Sequence, residues 1–356
     1  MNLDEYREAI DRTDREIIRL LQERQELAEK IGEKKRACGV GAYFPAREEA
    51  LLRRLENLAS PRLPRASLRA IYREIISLSV GAQMGRPVAY LGPEGTYTQQ
   101  AALKNFGSSV MLAAMRTIAD VFAAVERGEA AYGVIPVENS TEGAVVHSLD
   151  MLAETDLKIV AQVYLDIEHC LMGRGRIEDV RRVLSKDIAL AQCREWLQRN
   201  LPEAALIAVE STAEAVRRAA EEEGSAAVAG AVAATLYAVP VLAHSVQDKR
   251  DNTTRFLVIG AKANPSSSGY EEKTSLVLSL KHEPGSLQKA LQPLSTHGLN
   301  LTRIESRPNR KKAWEYFFFI DVIGHWDDAK LQSAMAELRE SCHFVKWLGS
   351  YPNIAH

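Results

Sequence analysis

The chain has 356 residues, which at roughly 150 residues per domain predicts two or three domains. Hydrophobic residues are 46% and charged residues 26%, the range of a soluble globular protein, so wholesale disorder is excluded. Lys and Arg number 45 against 47 Asp and Glu, a net −2 that points to neither nucleic acid nor an anionic membrane. No apolar run approaches the ~20 residues of a membrane span. The N-terminus, MNLDEYREAIDR, lacks the apolar stretch of a signal peptide. Cys38, Cys170, Cys193 and Cys342 are far apart, with no metal-ligand spacing. With no export signal, they read as free thiols in a reducing cytoplasm.

Residues 1–85 carry 16 basic and 14 acidic side chains, a density that suggests an all-helical segment. Ile10, Thr13, Ile17, Leu20, Arg24, Leu27 and Ile31 follow the 3-4 spacing of a long helix seam. Gly39 and Gly41 end it. Pro45 suits the first turn of a second helix with Leu51, Leu52, Leu55 and Leu58 on its stripe. After Pro61 and Pro64, a third helix carries Leu68, Ile71, Tyr72, Ile75, Ile76 and Leu78. Three such helices make a thin core for one chain, so an intertwined dimer is expected.

The pattern changes at Gly85-Arg86-Pro87. Short apolar runs (Val88–Leu91, Tyr132–Pro136, Leu157–Val163, Leu206–Val209) alternate with helical stretches such as Ile118–Arg127 and Thr212–Glu222. That predicts an α/β domain with a mostly parallel sheet, long enough for two lobes and a cleft. Asn264–Gly269 reads as a flexible linker. Beyond it, Thr274–Leu280, Ser286–His297, Leu299–Ser306, Glu315–Ile323, Asp328–Cys342 and Phe344–Leu348 spell βαββαβ. The domains are therefore set at 1–85, 86–263 and 273–356, with 264–272 as linker.

Polar residues interrupt the helical stripes. Lys35 lies 11 residues after Arg24, near the same face and about 16 Å further along the axis. Glu48 leads the second stripe, with Arg47 beside it, and Ser79 and Gln83 extend the third. Unpaired charge is costly to bury. These residues either fix register, snorkel to solvent, or surround a small anion.

The run Tyr6–Ile10, then ERQELAEKIGEKK, FPARE and SVGAQ, in that order, resembles the all-helical chorismate mutases over about residues 1–84. That resemblance implies interlocked first helices and a site that borrows Arg7 from the partner. It implies that Arg7, Arg24 and Arg47 hold the substrate carboxylates, helped by Ser79. Lys35 and Gln83 would act on the breaking ether oxygen, and Glu48 would hold the ring hydroxyl. Such a rearrangement needs a compact conformer and placed donors, with no nucleophile. Phe44 stands where the family usually has Asp, so weak mutase activity is one expectation.

In the middle segment, YLGPEGTYTQQAA puts glycines between a strand and a helix, a setting that suits anions. VIPVENSTEGAVVHSLDML crowds Glu138, Asn139, Ser140 and Thr141 before a helix, where Ser140 or Thr141 could equally be a cap. QDKRDNTTRFLVIG sets Thr253, Thr254 and Arg255 at the entry of an apolar strand, groups that suit a carboxylate. With HCL, LAQC and ESTAEA, these motifs resemble prephenate dehydratases over about residues 87–262. The resemblance implies two α/β lobes around a cleft, as in type II periplasmic binding proteins, and Thr254 as the acid. It implies Thr96, Glu138, Asn139, Ser140, Thr141, His169, Ser185, Gln192, Thr253 and Arg255 near the substrate. His169 could also be a satisfied core histidine. The family's Ser-His-Pro-Gln run is here Ser185-Lys186-Asp187-Ile188.

HEPGSLQKAL and NLTRIESRPNR read either as a turn and a solvated strand end or as a ligand site. They resemble the ACT regulatory domains of prephenate dehydratases over about residues 273–352. That implies phenylalanine bound across a domain dimer by Gly285, Ser286, Leu287, Glu305, Ser306 and Arg307. Taken together, the expectation is a multi-domain enzyme converting chorismate to prephenate and prephenate to phenylpyruvate. It would be inhibited by phenylalanine, need no metal or organic cofactor, and form a homodimer or homotetramer. Two rivals stand beside it: a dehydratase preferring arogenate with a weak or regulatory mutase domain, and a non-enzymatic small-molecule sensor.

Overall fold

The structure, a computed structural model, describes residues 2–249, 251–266, 270–281, 283–308 and 315–354. The chain divides into two compact units. One comprises Met1–Pro87 with Phe106–Met111; the other comprises Val88–Asn105 and Leu112–His356. No helix among the described residues is long and apolar enough to cross a membrane. All four cysteines are free.

The first unit is three helices: α1 (Leu3–Ala37), α2 (Pro45–Leu58) and α3 (Arg65–Met84). Asn2 and Glu5 form a capping box at the start of α1, satisfying two orphan N–H groups. Pro45 takes the first position of α2, and Gly85 closes α3 in the left-handed conformation. Gly32 lets α1 approach α3 closely; a Cβ there would lie 2.8 Å from Gln83 Cγ. Glu49 clamps α2 to α3 by accepting from both Nη atoms of Arg69 at 2.8 Å. The segment 106–111 belongs here: Ser108 Oγ donates to Glu74, and Phe106 packs on Tyr43 with ring centroids 4.7 Å apart. The apolar seam expected to be buried is open in the single chain, with Ile10 59% and Ile17 49% exposed. The face of α1 that packs inward carries Ala28 and Gly32.

The second unit holds three sheets. The first-lobe sheet runs Leu112–Met115, Val88–Leu91, Tyr132–Asn139, Thr253–Gly260, Lys158–Asp166, with Gly143–Ala144 added to Tyr132–Asn139. The second-lobe sheet runs Val241–Ala243, Cys170–Gly173, Ser225–Ala229, Arg182–Ser185, Ala205–Ala208. Each is mixed, not mostly parallel as the pattern suggested. In the second lobe, Cys170–Gly173 runs antiparallel to both of its neighbours; in the first, the reason is the chain path. After building the second lobe it returns to the first as Thr253–Gly260, antiparallel to both neighbours. The two crossings are bonded to each other: Ile167 N–H donates to Asn252 O at 2.7 Å, and Val246 N–H to His169 O at 2.9 Å.

The third sheet is antiparallel, ordered Leu301–Pro308, Tyr316–Ile323, Glu272–Leu280, Cys342–Pro352, with helices Ser286–Thr296 and Ala329–Ser341 on one face. This is the expected βαββαβ module. Alternation divides its strands: Leu276, Leu278, Ile320 and Val322 meet the helices, whereas Val277, Phe319, Leu348 and Tyr351 join the core of the first lobe. Glu272–Leu280 is thus buried along its whole length. Gly349 allows the close approach, since a Cβ there would collide with the Ile159 carbonyl. Of the expected linker, residues 267–269 lie outside the described residues.

Candidate active sites

In the helical unit, Arg24 Nη1 donates to Ser79 Oγ at 2.6 Å, joining α1 to α3. Lys35 Nζ donates to Ala42 O at 2.9 Å and to Gln83 Oε1 at 3.1 Å. Lys35 has no acceptor, so this contact fixes the Gln83 amide and leaves its NH₂ free to donate. The Phe44 ring lies under Lys35 Nζ, 4.9 Å from centroid to nitrogen, so this residue supports the cation through its π face. Burial, reinforced by Arg47, lowers the Lys35 pKa, and Glu48 partly offsets this. Glu48 is half-buried, and its crowded carboxyl is pushed up to about 8 by desolvation against the opposing pull of Lys35 and Arg73. Arg24–Ser79 and Lys35–Gln83 therefore join polar groups of α1 and α3, and Arg47 and Glu48 of α2 interact electrostatically with Lys35. Arg7 does not join them. It is exposed, pairs with Asp4 at 3.2 Å, and lies 17 residues before Arg24, about 25 Å along the helix.

The second unit contains a cleft of about 1310 Å³ between its two lobes. Thr96, Asn139, His169, Gln192 and Thr254 line it, as expected. Thr254 is buried and receives a 2.7 Å hydrogen bond from Asn139 Nδ2. With its oxygen thus engaged as acceptor, the hydroxyl proton is left to point at a ligand. Asn139 is held in turn: its Oδ1 accepts from Thr141 N at 2.9 Å, Thr141 Oγ1 at 2.6 Å and Glu142 N at 3.1 Å. His169 Nε2 lies 2.9 Å from Gln192 Oε1, and its Nδ1 lies 2.8 Å from the Tyr97 hydroxyl. Gln192 Oε1, whose Nε2 donates to Thr141, can only accept here, so the proton lies on Nε2 of His169; the Tyr97 hydroxyl is shared with Glu168 O at 2.9 Å. Burial lowers the His169 pKa and favours the neutral ring. His169 is thus hydrogen-bonded at both ring nitrogens and lies in the lining of the cleft.

Several predicted residues lie elsewhere. Side chains alternate along a strand, so with Thr254 and Phe256 in the cleft, Arg255 emerges on the opposite face. There its Nη1 meets Asp321 Oδ2 at 2.6 Å and its Nη2 meets the Tyr351 hydroxyl at 2.8 Å. Glu138, its cross-strand partner, accepts from Arg303 Nε at 2.8 Å. Thr253 Oγ1 donates to Asp166 at 2.9 Å, and buried Ser185 donates to Val228 O at 2.5 Å. Ser140 bonds Asp251 O and Thr253 N. It is not a helix cap, nor is Thr141: the next helix is capped at Val145. Thr141 instead touches Gln192, whose Nε2 donates to its Oγ1 at 3.3 Å.

The cleft also holds Tyr97, Arg116, Lys186 and Arg218, which the motifs did not single out. Arg218 is paired with Glu222 at 2.9 Å. Arg116 and Lys186 present exposed cationic side chains. In the third sheet's domain, Gly285 is left-handed (φ 81°) at the N-cap of its helix, with Ser286 Oγ donating to Glu283 O at 2.8 Å and Leu287 partly exposed. Glu305, Ser306 and Arg307 lie on the edge strand, where Arg307 meets Asp150 of the first lobe at 3.3 Å. Among the described residues, Glu168, Cys170 and His244 place possible metal-ligand atoms within 4.8 Å of one another, but none of the three lines the cleft.

Residues 6–84 match the family chorismate mutase type II, 88–264 match prephenate dehydratase, and 274–340 match the ACT domain. The chain is 47% identical over 355 residues to a bifunctional chorismate mutase/prephenate dehydratase of Aquifex aeolicus, covering 98% of each protein. It is similar to a crystal structure of prephenate dehydratase from Arthrobacter aurescens in complex with L-Phe (30% identity, TM-score 0.69, 76% of this chain and 93% of that one). It is also similar to the structure of GqqA, described as a novel type of quorum quenching acylase (32% identity, TM-score 0.68, 75% of this chain and 98% of that one).

Proposed function

This chain belongs to the bifunctional chorismate mutase/prephenate dehydratase family, and from that premise we propose how its residues carry the two reactions. Both activities belong to the chain; the roles below are our reading of the geometry.

In the helical unit, chorismate rearranges to prephenate with no covalent help. Arg24 and Arg47 hold carboxylates, Ser79 orients Arg24, and Lys35 with the free Gln83 amide faces the ether oxygen as it gains negative charge. Neutral Glu48 contacts the ring hydroxyl. Arg7 serves the site of a second copy, whose α1 covers the open seam of Ile10 and Ile17. A dimer measured by light scattering at working concentration supports this; a stable monomer with full mutase activity contradicts it.

In the cleft, prephenate loses its ring carboxylate as carbon dioxide. The C–C bonding pair enters the ring, the C–O bond to the ring hydroxyl breaks, and the departing oxygen takes the Thr254 proton to leave as water. Thr254 is then reprotonated from solvent. The observation that carries this is the 2.7 Å bond from Asn139, which turns the Thr254 proton outward and stabilises negative charge left on its oxygen. In the Thr254→Ala protein we expect prephenate turnover to fall at least 100-fold while mutase turnover is retained; unchanged dehydratase turnover discards the assignment. The acylase relative raises acyl hydrolysis as a second reading. It is less suited to this cleft, because His169 is bound to Gln192 and Tyr97, not poised as a base on Thr254.

Phenylalanine binds the ACT module at Gly285, Ser286, Leu287, Glu305, Ser306 and Arg307. The Arthrobacter relative, crystallised with L-Phe, supports this reading. Loss of phenylalanine inhibition in a Glu305→Ala protein, with basal turnover retained, tests it.

A further inference from the structure

Two adjacent cross-strand pairs meet at the cleft. Asn139 and Thr254 are register partners, and so are Glu138 and Arg255. The first pair lines the cleft. The second contacts the regulatory module on the other side: Glu138 binds Arg303 at 2.8 Å, and Arg255 binds Asp321 at 2.6 Å. Each member of the reacting pair therefore has a chain neighbour anchored to the antiparallel regulatory sheet. The ladder between these two strands slips register just beyond the second pair, between Arg255 and Phe256. Such a bulge locally interrupts pairing and re-aims side chains. On the other side Thr254 and Arg255 stay paired with Leu165 and Tyr164, so the anchors to the regulatory sheet add to the restraint of that ladder.

We infer that Arg303 and Asp321 of the regulatory module are positioning residues for the dehydratase reaction, holding Thr254 and Asn139 in their reactive arrangement through Arg255 and Glu138. This rests on Thr254 being the acid. Arg255, Asp321, Ser275 and Tyr351 form a closed buried ring: Ser275 Oγ donates to Asp321 Oδ1 at 2.5 Å and lies 2.6 Å from the Tyr351 hydroxyl. The Arg303–Glu138 pair is nearer solvent, with Glu138 37% exposed. It is the more adjustable half of the clasp. Arg303 Nη2 is buried with no hydrogen-bond partner among the described residues, so this contact does not fully satisfy its guanidinium. Catalytic geometry is sensitive to small displacements of this kind.

The test uses the full-length chain and the outer pair, whose loss leaves the buried ring intact. Arg303→Gln and Glu138→Gln are each expected to lower dehydratase kcat about tenfold with KM for prephenate within twofold. Their double variant should be no worse than either single, and Arg303→Lys should recover most of the rate. Mutase turnover on the same molecules serves as an internal standard for enzyme concentration. Unchanged kcat, a loss confined to KM, or additive losses in the double variant overturn the inference. Thr254→Ala is assayed alongside: if it keeps full turnover, the acid assignment has failed, whereas a dead Thr254→Ala with a silent Arg303→Gln condemns only the positioning role.

Discussion

Asp321 Oδ2 lies 2.6 Å from Arg255 Nη1 in an ion pair whose side chains are 5% and 6% exposed, and the two residues come from different sheets. Breaking such a pair leaves a buried charge without a partner, at a cost of about 3–5 kcal/mol. Asp321→Asn should therefore lower the urea midpoint of the second unit strongly at pH 7, while Arg255→Met/Asp321→Leu recovers much of it. Burial alone would raise the Asp321 pKa, but the Arg255 guanidinium outweighs it and holds the carboxyl below the usual aspartate range. A depressed carboxyl stabilises the fold above the unfolded value of about 3.9, and that contribution fades as pH falls through the lower folded value. The gap between wild type and Asp321→Asn should narrow only in strong acid; a gap unchanged there, or absent at pH 7, counts against the pair.

Glu48 behaves in the opposite sense. Its carboxyl is pushed up to about 8 by desolvation, so it is mainly protonated at neutral pH and can donate a hydrogen bond. Between the unfolded carboxylate range near 4.3 and about 8 the folded state holds the extra proton, so helical-unit stability declines as pH rises across that window. Mutase kcat/KM should fall as pH climbs through about 8. Glu48→Gln, which always donates, should keep activity at pH 7 and flatten the alkaline limb. A wild-type profile level to pH 9 removes the role given to this proton.

The helix ends were readable because their residues act locally. Pro45 starts α2 and Gly85 ends α3 for reasons that need no tertiary partner. The βαββαβ module was readable from period and spacing, and Asn139 and Thr254 from their motifs. Arg255 was not. Beside two threonines it suggested a shared carboxylate, yet alternation sends it to the far face, and only the docked regulatory sheet supplies its partner. Glu138 escaped for the same reason, since its Arg303 lies 165 positions away. Arg116 and Lys186 are single cations without a local signature, brought to one cleft by lobes that the chain builds separately. The mixed sheets follow from the return strand Thr253–Gly260 in the first lobe and from the antiparallel strand Cys170–Gly173 in the second, which periodicity cannot order.

The donors around Gln83 give a selective prediction. Lys35 fixes the Gln83 amide, which in the proposed mechanism faces the ether oxygen, and adds a cation of its own. Removing one such preorganised donor typically costs two to three powers of ten in rate, so Lys35→Ala should lower mutase kcat by about 100-fold or more. Because Lys35 lies in the first compact unit, dehydratase turnover on added prephenate should stay within twofold. Coupled assays on chorismate and direct assays on prephenate separate the two. Equal loss of both rates would mean that the substitution unfolds the chain instead of disarming one site.

Prephenate carries two carboxylates, and the one arginine expected to bind them, Arg255, is committed elsewhere. Arg116 from the first lobe and Lys186 from the second both line the cleft. Each presents an exposed cationic side chain. Opposite lobes that each hold one end of a dianion would draw the cleft together around it. Exposed cations contribute uniform binding more than transition-state binding. Arg116→Ala and Lys186→Ala should therefore raise KM for prephenate about tenfold with kcat nearly unchanged, and the wild-type KM should rise with ionic strength more steeply than that of either variant. Steady-state titrations at two salt concentrations decide the matter. If neither variant moves KM, the carboxylates are held by other groups; if kcat falls instead, the cation acts on the reacting bonds.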